Sequence, residues 1–320
     1  LIGFNSFQAR SLYSLYEESC IEVYDDGKQN QTLSGGKNIK SLDVLVKDID
    51  NKGLMNVLCV FNPSAKRKII NKLKNFTLID VEEFAVQNNL NLKVLNFPNS
   101  IDLKILQNSS LHFRDDLSLK TYKAILEYWV TGIRSKLVEV VKPESAIYFQ
   151  EDFLNLCNDE VFVDVGAFDG DSFRSFQNIN PIFKEAHLFE PVKSLLINLK
   201  NVKIYKVALG NKEKEVVFSD GGLNSSIKTN GNIKVKLKKL DTYQISPTFI
   251  KIDAEGMDID VLKGAKKTIL ENKPKIAVSV YHKPIDLLEA YNYLSELNYN
   301  TFYLRKYQLS NEETVLYAIP

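Results

Sequence analysis

The sequence predicts an α/β protein with two domains, and three observations support this prediction. The chain has 320 residues, which is more than a single hydrophobic core usually organises. Short apolar runs alternate with stretches of helical period along both halves of the chain. Between the halves, residues 116–141 carry apolar side chains at helical spacing, and Pro143 ends this predicted helix. We therefore expect a smaller Rossmann-like domain over residues 1–110, a helical linker over 111–147 and a larger domain over 148–320.

The first domain is predicted from short apolar runs separated by polar helical stretches. Its second run, IEVYDDG, indicates a strand that ends in a turn, because Asp and Gly favour turns. The predicted strands lie at residues 1–4, 21–27, 42–46, 57–61 and 92–95, and the predicted helices at 8–18 and 65–73.

The second domain has the clearer alternation. Five of its apolar runs are bounded by turn residues, which is typical of parallel strands that are buried on both faces. The runs lie at residues 161–165, 186–189, 203–207, 249–252 and 275–280, with predicted helices at 171–178, 192–199, 258–272 and 285–297.

Two parts of the second domain depart from this pattern. Over residues 208–247, a glycine pair at 221–222 and alternation within 233–240 predict hairpin strands in place of a helix. The last two runs, 301–304 and 315–319, are joined by a connection short enough for an antiparallel pair. We therefore expect a mostly parallel sheet that ends in an antiparallel hairpin.

Charge and hydropathy exclude several classes of partner. The chain has 41 Lys and Arg residues against 40 Asp and Glu residues, so its net charge of +1 provides no field for attracting nucleic acid. No apolar run reaches the length of about 18 residues that spans a membrane, and the first residues lack the basic, apolar and small-residue pattern of a signal peptide. The true N-terminus stays open. We expect a cytoplasmic protein without nucleic-acid partners, and its oligomeric state stays open.

A ligand site is predicted where the strand at 161–165 runs into a glycine-containing turn and then a helix. Gly166 and Gly170 let backbone N–H groups and a helix N-terminus approach a polar ligand, because glycine has no Cβ. The full G-x-G-x-x-G fingerprint of dinucleotide binders is missing, and Asp164 would repel a pyrophosphate. An ammonium group beside a carboxylate, as in a methionine moiety, suits this turn better.

A second acid follows the next predicted strand, 26 residues beyond Asp164. Glu190 stands at the strand end, where a carboxylate can accept hydrogen bonds from both hydroxyls of a ribose. Taken alone, Glu190 could equally be a helix-capping or solvated acid. Together with the glycine turn, it predicts a nucleoside-bearing cofactor.

Four polar residues end four of the predicted parallel strands: Asp164, Glu190, Asp253 and His282. The carboxyl edge of an open α/β sheet is where such folds bind ligands. We therefore expect these four side chains to meet in one crevice.

The motifs VFVDVGAFDGDS, HLFEP, VALGN, FIKIDAEGMDIDVLKGA and SVYHKPIDL carry a family resemblance. In content, order and spacing they resemble the FkbM-type methyltransferase family, over roughly residues 148–317. The resemblance implies a class I methyltransferase fold, whose seven-stranded sheet is closed by an antiparallel hairpin. It also implies S-adenosylmethionine as cofactor and methyl transfer to oxygen, commonly a hydroxyl of a sugar or polyketide.

Position by position, the resemblance implies a role for each part of the cofactor site. Glu190 would hold the ribose, Ala208 and Leu209 would lie near the adenine, and Asp253 would face the transferred methyl group. The glycine turn would surround the methionine part. The complete predicted cofactor-binding set is Asp164, Gly166, Ala167, Phe168, Gly170, Asp171, Glu190, Pro191, Ala208, Leu209 and Asp253.

The predicted catalytic residues are His282, Asp253, Glu255 and Lys251. Methyl transfer to a hydroxyl needs a base, and the ordinary pKa of histidine, near 6.5, makes His282 the best candidate. Asp253, Glu255 and His282 could alternatively hold a divalent cation, which we favour less. For Lys251 the alternative is a salt bridge at the sheet edge, and for Glu255 it is an acid that suits the helix dipole.

The first domain resembles the Rossmann-like nucleotide-sugar domain at the front of some bacterial sugar acyltransferases. The resemblance is carried by Gly3-Phe4-Asn5-Ser6 and Tyr24-Asp25-Asp26-Gly27. It implies a working nucleotide-sugar site, and the alternatives are a degenerate scaffold or a partner-docking domain. For the whole chain we expect an O-methyltransferase that acts on a small-molecule hydroxyl, such as a sugar or glycan precursor in polysaccharide biosynthesis. The alternatives are a nicotinamide-dependent oxidoreductase and a non-catalytic binding protein on a methyltransferase scaffold.

Overall fold

A computed structural model of the chain describes residues 102–217 and 233–320 throughout, and the backbone of 218. Before residue 102 it describes residues 13, 22–25, 30–33, 36–41, 43–45, 47 and 48, and the backbone of 56–59, 77–80, 100 and 101. The chain divides into two compact units. The first consists of Leu1–Asn99 and Ile125–Lys136, and the second of Ser100–Ala124 and Leu137–Pro320.

The described residues of the first unit contain two pairs of parallel strands. Strand β1 (Val23–Tyr24) pairs with β2 (Ile39–Lys40), and β3 (Asn56–Cys59) pairs with β4 (Thr77–Asp80). Tyr13, Val23 and Ile39 form a small buried core with Leu33 packed against it. The strands predicted within 21–27 and 57–61 are present in this unit.

The strand predicted at residues 42–46 is wrong, because residues 43–45, 47 and 48 are helical. The carbonyl of Ser41 accepts hydrogen bonds from the N–H groups of Val44 and Leu45, which starts a helical turn. Of the residues described in this segment, only Leu45 is buried, as expected of one residue per helical turn. The elements predicted at 1–4, 65–73 and 92–95, and the motif at 3–6, lie outside the described residues.

The connecting segment is helical but broken. Its helices are α1 (Ser100–Gln107), α2 (Asp116–Thr131) and α3 (Ser135–Val138). The single helix predicted to run to residue 141 is therefore wrong. Gly132 has a φ of +73°, and its N–H donates to the carbonyl of Tyr128, as is typical of a glycine that ends a helix.

A seven-stranded sheet forms the centre of the second unit. Its strands are β5 (Val161–Val165), β6 (Glu185–Phe189), β7 (Val202–Tyr205), β11 (Phe249–Ile252), β12 (Lys275–Ser279), β13 (Thr301–Lys306) and β14 (Thr314–Ile319). They lie in the order β13-β14-β12-β11-β5-β6-β7. All neighbouring strands are parallel except that β14 runs antiparallel to both β12 and β13. The predicted fold, a mostly parallel sheet with an antiparallel C-terminal hairpin, is confirmed.

A smaller sheet in the second unit contains β8 (Ala208–Leu209), β9 (Lys214–Phe218) and β10 (Ile233–Lys238). Strand β10 lies in the middle, parallel to β8 and antiparallel to β9. The hairpin strands predicted between the third and fourth parallel strands are therefore present. The predicted turn at residues 221–222 lies outside the described residues.

The helices of the second unit follow the prediction in two places and depart from it in another. Helices α5 (Asp171–Ile179) and α8 (Asp286–Glu296) lie where the sequence predicts them. The helix predicted over 258–272 is interrupted at Ala265, which separates α6 (Asp258–Gly264) from α7 (Lys266–Asn272). A short helix, α4 (Glu151–Leu154), and 3-10 turns at Glu144–Ala146 and Leu240–Tyr243 complete the set in the part of the chain described.

The interruption at Ala265 has a cause outside the helix. Both oxygens of Asp241 accept hydrogen bonds from the N–H groups of Lys267 and Thr268, which caps a new helix N-terminus. Gly264 also lies against another part of the backbone, because an added Cβ would stand 1.9 Å from the carbonyl oxygen of Gly210. Contacts that are distant in sequence therefore divide one amphipathic stretch into two helices.

The helix predicted over residues 192–199 is wrong, because this segment is not helical. Leu195 and Ile197 pack against the aromatic core, whereas Leu196 between them is 98% exposed. This alternation has the period of an extended chain. Helical and extended periods both fit the spacing of the apolar residues here, and the core accepts the extended one.

The core of the second unit lies against the parallel sheet and is rich in aromatic rings, including Phe149, Phe162, Phe176 and Phe249. Phe162 stacks on both Phe176 and Phe249, with ring centroids 4.4 and 5.3 Å apart. Among the described helices, none combines the length and the apolar character that crossing a membrane requires.

Candidate active site

A cavity of about 870 Å³ opens at the carboxyl edge of the large sheet. Residues that follow β5, β6, β11 and β12 line it, as the sequence predicts for a ligand site. Eleven of the predicted site residues line this cavity: Gly166, Phe168, Asp171, Glu190, Pro191, Ala208, Leu209, Lys251, Asp253, Glu255 and His282.

The remaining three predicted residues, Asp164, Ala167 and Gly170, are buried and are absent from the lining. Gly170 N–H donates to the carbonyl of Ala167, with an N···O distance of 2.6 Å, so both residues shape the turn. Their contribution to ligand binding stays a prediction, and their contacts indicate support from beneath the site.

The glycine turn after β5 is set by close packing. Gly166 has a φ of +74°, and an added Cβ would stand only 1.8 Å from the carbonyl oxygen of Asp253. The N–H groups of Gly166 and Ala167 donate to the carbonyl of Phe189 at the end of β6. Glycine is therefore required here both by the backbone conformation and by the close approach of the backbone at Asp253.

An ion pair lies directly under this turn. Asp164 is fully buried, its Oδ1 lies 3.0 Å from Lys251 Nζ, and its Oδ2 accepts a hydrogen bond from Ser172 Oγ. Lys251 Nζ also donates to the carbonyl of Gly166. Burial alone would lower the pKa of Lys251, but the carboxylates of Asp164 and Asp253 outweigh it and raise the pKa. A charged Lys251 therefore connects β11 to the turn. These contacts are those expected of a salt bridge at the sheet edge, the alternative to a catalytic role for Lys251.

Glu190 is buried and accepts hydrogen bonds from two loops, the one after β5 and the one after β6. Its Oε1 accepts hydrogen bonds from the N–H groups of Val192 and Lys193, and its Oε2 accepts one from Phe168. A carboxylate oxygen has two lone pairs, so Oε2 keeps one acceptor position. Ribose binding by Glu190 stays a prediction that is compatible with its observed role in joining the two loops.

Asp253 is hydrogen-bonded to Tyr148, a residue that no sequence motif marks as part of a site. Tyr148 OH donates a hydrogen bond of 2.7 Å to Asp253 Oδ2 and lies 3.3 Å from Ser279 Oγ. Burial, and then the negative charge of Asp253, raise the pKa of Tyr148 well above its ordinary value. Tyr148 therefore stays protonated and fixes the orientation of the Asp253 carboxylate.

Asp258 orients His282. The Asp258 side chain is buried and accepts hydrogen bonds from the N–H groups of Ala254 and Gly256. Its Oδ2 lies 2.9 Å from His282 Nδ1. Since an ionised carboxylate can only accept a hydrogen bond, the proton of this pair resides on Nδ1 and Nε2 is directed elsewhere.

The other face of His282 meets two more carboxylates. His282 Nε2 lies 3.6 Å from both Asp253 Oδ1 and Glu255 Oε2. Burial alone would lower the pKa of His282, but the surrounding carboxylates of Asp258, Glu255 and Asp253 outweigh it and raise the pKa to about 10. A base role for His282 therefore requires a bound ligand that reduces this effect.

The turn between β13 and β14 adds acidic groups to the same end of the cavity. Glu312 and Glu313 line it, and burial and the nearby Asp253 raise the pKa of Glu313 to about 7. Sequence reasoning missed Tyr148 and Glu313, because neither stands beside a motif. Asp258 was not among the predicted site residues either, because its contact with His282 depends on the fold.

The comparisons with known proteins agree with the fold of the second unit. Residues 164–301 match the family model described as the methyltransferase FkbM domain. The crystal structure of methyltransferase FkbM from Methylobacillus flagellatus KT is similar to this chain, with a TM-score of 0.67 and 23% sequence identity. That similarity covers 99% of this chain and 88% of the other, and it supports the fold.

A second solved structure, precorrin-6y C5,15-methyltransferase from Geobacter metallireducens GS-15, has a TM-score of 0.33 and 14% identity. The match covers 56% of this chain and 92% of the other. Its TM-score is too low to support a conclusion about the fold or the function of this chain. No curated protein sequence matches the chain significantly. The family match and the sheet topology together confirm the predicted resemblance: residues 164–301 of this chain are similar to the methyltransferase FkbM domain.

Proposed function

We propose that this chain is an S-adenosylmethionine-dependent O-methyltransferase whose acceptor is a small molecule, such as a sugar or glycan precursor. The domain match supports methyl transfer as the activity. The observation that carries the cofactor and acceptor assignments is one cavity with the glycine turn of Gly166 on one side and Asp253, Glu255 and His282 on the other.

The charge of the cavity supports a cationic cofactor. S-adenosylmethionine carries a positive sulfonium and an ammonium group, whereas a nicotinamide dinucleotide carries a pyrophosphate that carboxylates repel. Of the basic lining residues, Lys251 is already paired with Asp164. The lining contains seven carboxylates, Glu144, Asp171, Glu190, Asp253, Glu255, Glu312 and Glu313, against the basic residues Lys193, Lys251 and His282.

The same charge favours a neutral acceptor. A hydroxyl compound without phosphate or carboxylate groups meets no repulsion in a cavity of this composition. Tyr148, Tyr281 and Gln308 add aromatic and amide surface to the lining, which suits the apolar faces and the hydroxyls of a sugar. A neutral sugar or glycan precursor is therefore the acceptor that we propose, within polysaccharide biosynthesis.

The proposed reaction is an in-line displacement. The acceptor oxygen forms a bond to the methyl carbon while the carbon–sulfur bond breaks and its electron pair returns to sulfur, which leaves a neutral thioether. The hydroxyl proton passes to the group formed by Asp253, Glu255 and His282, all of which line the cavity. The protein contributes by holding the two reactants in line and by accepting this proton.

Single-turnover transfer of a labelled methyl group tests the proposal. The purified full chain is mixed with labelled S-adenosylmethionine and a panel of neutral glycan precursors, and products are identified by mass spectrometry. We expect a methyl ether. His282→Ala should slow transfer about 100- to 10,000-fold, the range for a positioned group that assists proton removal, while cofactor affinity stays nearly unchanged. Bound cofactor with no transfer to any hydroxyl would favour the non-catalytic alternative.

A further inference from the structure

Glu313 contributes a carboxylate oxygen without a partner to the cavity. It lies on the turn between β13 and β14, directly before Thr314, and its side chain is part of the cavity lining. Its Oε2 atom is shielded from solvent and makes no hydrogen bond with any residue that the structure describes. A buried polar atom without a partner is costly. This oxygen therefore indicates the position of a group that a ligand supplies.

The lysine on the same hairpin does not supply the missing partner. Lys306 is buried, and its Nζ donates hydrogen bonds to the carbonyl of Glu312 and to Thr314 Oγ1. These two residues lie on either side of Glu313. The N–H of Tyr307 donates to the carbonyl of Glu313. The described contacts therefore hold the turn around Glu313, and its Oε2 takes part in none of them.

The main chain at Glu313 has an uncommon conformation. Its φ of +57° lies in the left-handed region, which glycine adopts readily and which is costly for a residue with a Cβ. Strain of this kind collects at ligand sites, where surrounding contacts hold the backbone and the side chain serves the ligand. Glycine would suit the turn better than glutamate does. The conformation therefore indicates that the Glu313 side chain has a role other than stabilising the turn.

Glu313 lies at the end of the cavity where the acceptor would react. Strand β14 pairs with β12, and the N–H of Val280 donates to the carbonyl of Thr314. This contact places Glu313 beside the segment that leads into His282. Burial, and then the negative charge of Asp253, raise the pKa of Glu313 to about 7, so the two carboxyl groups are close enough to interact. Glu313 belongs to a different element from Asp253 and His282, and it therefore meets a different part of a bound acceptor.

We propose that Glu313 Oε2 binds a second hydroxyl of the methyl acceptor, so that the acceptor is a polyhydroxylated compound and not a simple alcohol. This inference rests on the proposed function, in which Asp253, Glu255 and His282 meet the reacting hydroxyl. A hydroxyl both donates and accepts hydrogen bonds, so it pairs with Glu313 as a carboxylate and as a carboxylic acid. Both forms are present near neutral pH, because burial and the charge of Asp253 hold the pKa of Glu313 at about 7. A cationic group would pair with the carboxylate alone.

Acceptor kinetics of Glu313 variants test this inference. The full chain is assayed at saturating S-adenosylmethionine with the methyl glycosides of glucose, galactose and mannose as acceptors. Glu313→Ala and Glu313→Gly should raise the acceptor KM about 10- to 100-fold, the effect of losing a hydrogen bond to a charged group, and leave kcat within about threefold. Glu313→Gln should stay near the wild-type KM, because its amide also donates and accepts hydrogen bonds.

Monodeoxy analogues of the methylated glycoside identify the hydroxyl that Glu313 contacts. The analogue without that hydroxyl should have similar KM values with wild type and with Glu313→Ala, because neither protein can form the hydrogen bond. The other analogues should keep the difference between the two proteins. A difference of the same size for every analogue would overturn the inference.

Glu271→Ala is the matched control, since Glu271 is an exposed acid on α7 and should leave the acceptor KM unchanged. Melting temperatures separate binding from folding. Glu313→Gly should melt at or above the wild-type temperature, because glycine removes both the strain and the unpartnered carboxylate. A lower melting temperature of Glu313→Gly, or an unchanged acceptor KM in Glu313→Ala, would overturn the inference and leave the proposed function standing. If the wild-type chain methylates none of the glycosides, the inference and the proposed sugar acceptor fail together.

Discussion

Gly166 occupies a position where backbone conformation and packing act together. Its φ of +74° is costly for any residue with a side chain, and an added Cβ would collide with the carbonyl of Asp253 at 1.8 Å. Gly256 shares the conformation, with a φ of +88°, but the nearest atom to an added Cβ is 3.7 Å away. The pair therefore separates the effect of conformation from that of collision.

We expect Gly166→Ala to destabilise the protein by roughly 2–5 kcal/mol, since backbone strain and overpacking add. Gly256→Ala should cost only about 1–2 kcal/mol, from the strain alone. Urea unfolding of the full chain, followed by circular dichroism, measures both. Equal losses in the two variants would show that the approach of Asp253 does not restrict residue 166.

Glu190 is the residue on which the predicted ribose contact depends. We expect Glu190→Ala to weaken S-adenosylhomocysteine binding by about 1.5–3 kcal/mol, the range for hydrogen bonds to a charged group. Glu185→Gln, a change at the opposite end of β6 that is absent from the cavity lining, serves as the control and should keep wild-type affinity. Unaltered affinity in Glu190→Ala would remove this residue from the ribose site and leave it as a loop-joining acid.

Among the elements, the start of helix α2 is tied to strand β13 by a buried cation. Arg305 is 1% exposed and donates hydrogen bonds to Asp115 and to Ser118 Oγ. Asp115 also accepts the N–H of Ser118, so it caps the helix as well. Burial alone would raise the pKa of Asp115, but the hydrogen bonds from Arg305 and Ser118 outweigh it and lower the pKa below its ordinary value.

We expect Asp115→Asn to destabilise the protein by about 1–3 kcal/mol at neutral pH, because Asp115 is one-third exposed and its charged hydrogen bonds are partly screened. A carboxylate whose pKa is lowered by folding stabilises above its unfolded pKa, near 3.9, and loses this effect as the pH falls through the folded value. Urea unfolding at several pH values measures it. A difference between variant and wild type that does not shrink below about pH 4 would contradict this account.

The elements that the sequence predicts correctly are those whose signal is local. The apolar runs at β5, β6, β11 and β12 stand out because both faces of each strand are buried. Two of the elements predicted wrongly depend on distant partners. The core selects the extended form of the segment with Leu195 and Ile197, and Asp241 caps a helix that begins 25 residues later.

The residues of the candidate site also divide into those with a local sequence signal and those that depend on distant partners. Asp253 and Glu190 could be selected from sequence, because the residues that follow parallel strands lie together at one edge of the sheet. The partnership of Tyr148 with Asp253 joins residues 105 positions apart, and that of Asp258 with His282 joins residues 24 apart. No periodic pattern records such contacts, so the orientation of each group could not be predicted.

For the whole molecule, the predicted start of the catalytic domain at residue 148 remains to be tested. The compact second unit also includes Ser100–Ala124, whose Arg114 and Ser118 bond to the backbone of β13. We expect a fragment of residues 100–320 to fold and bind S-adenosylhomocysteine. A fragment of 148–320 should melt at a lower temperature, because buried Arg305 loses Asp115. Thermal unfolding monitored by circular dichroism compares the two, and equal melting temperatures would support the boundary at 148.

Calorimetric titration of the full chain with S-adenosylhomocysteine, and separately with NAD, tests the central claim most directly. The acidic cavity lining and the glycine turn at Gly166 predict one equivalent of bound S-adenosylhomocysteine and no heat with NAD. Binding of NAD, or no binding of S-adenosylhomocysteine to the folded protein, would contradict the proposed cofactor and the methyl transfer that depends on it.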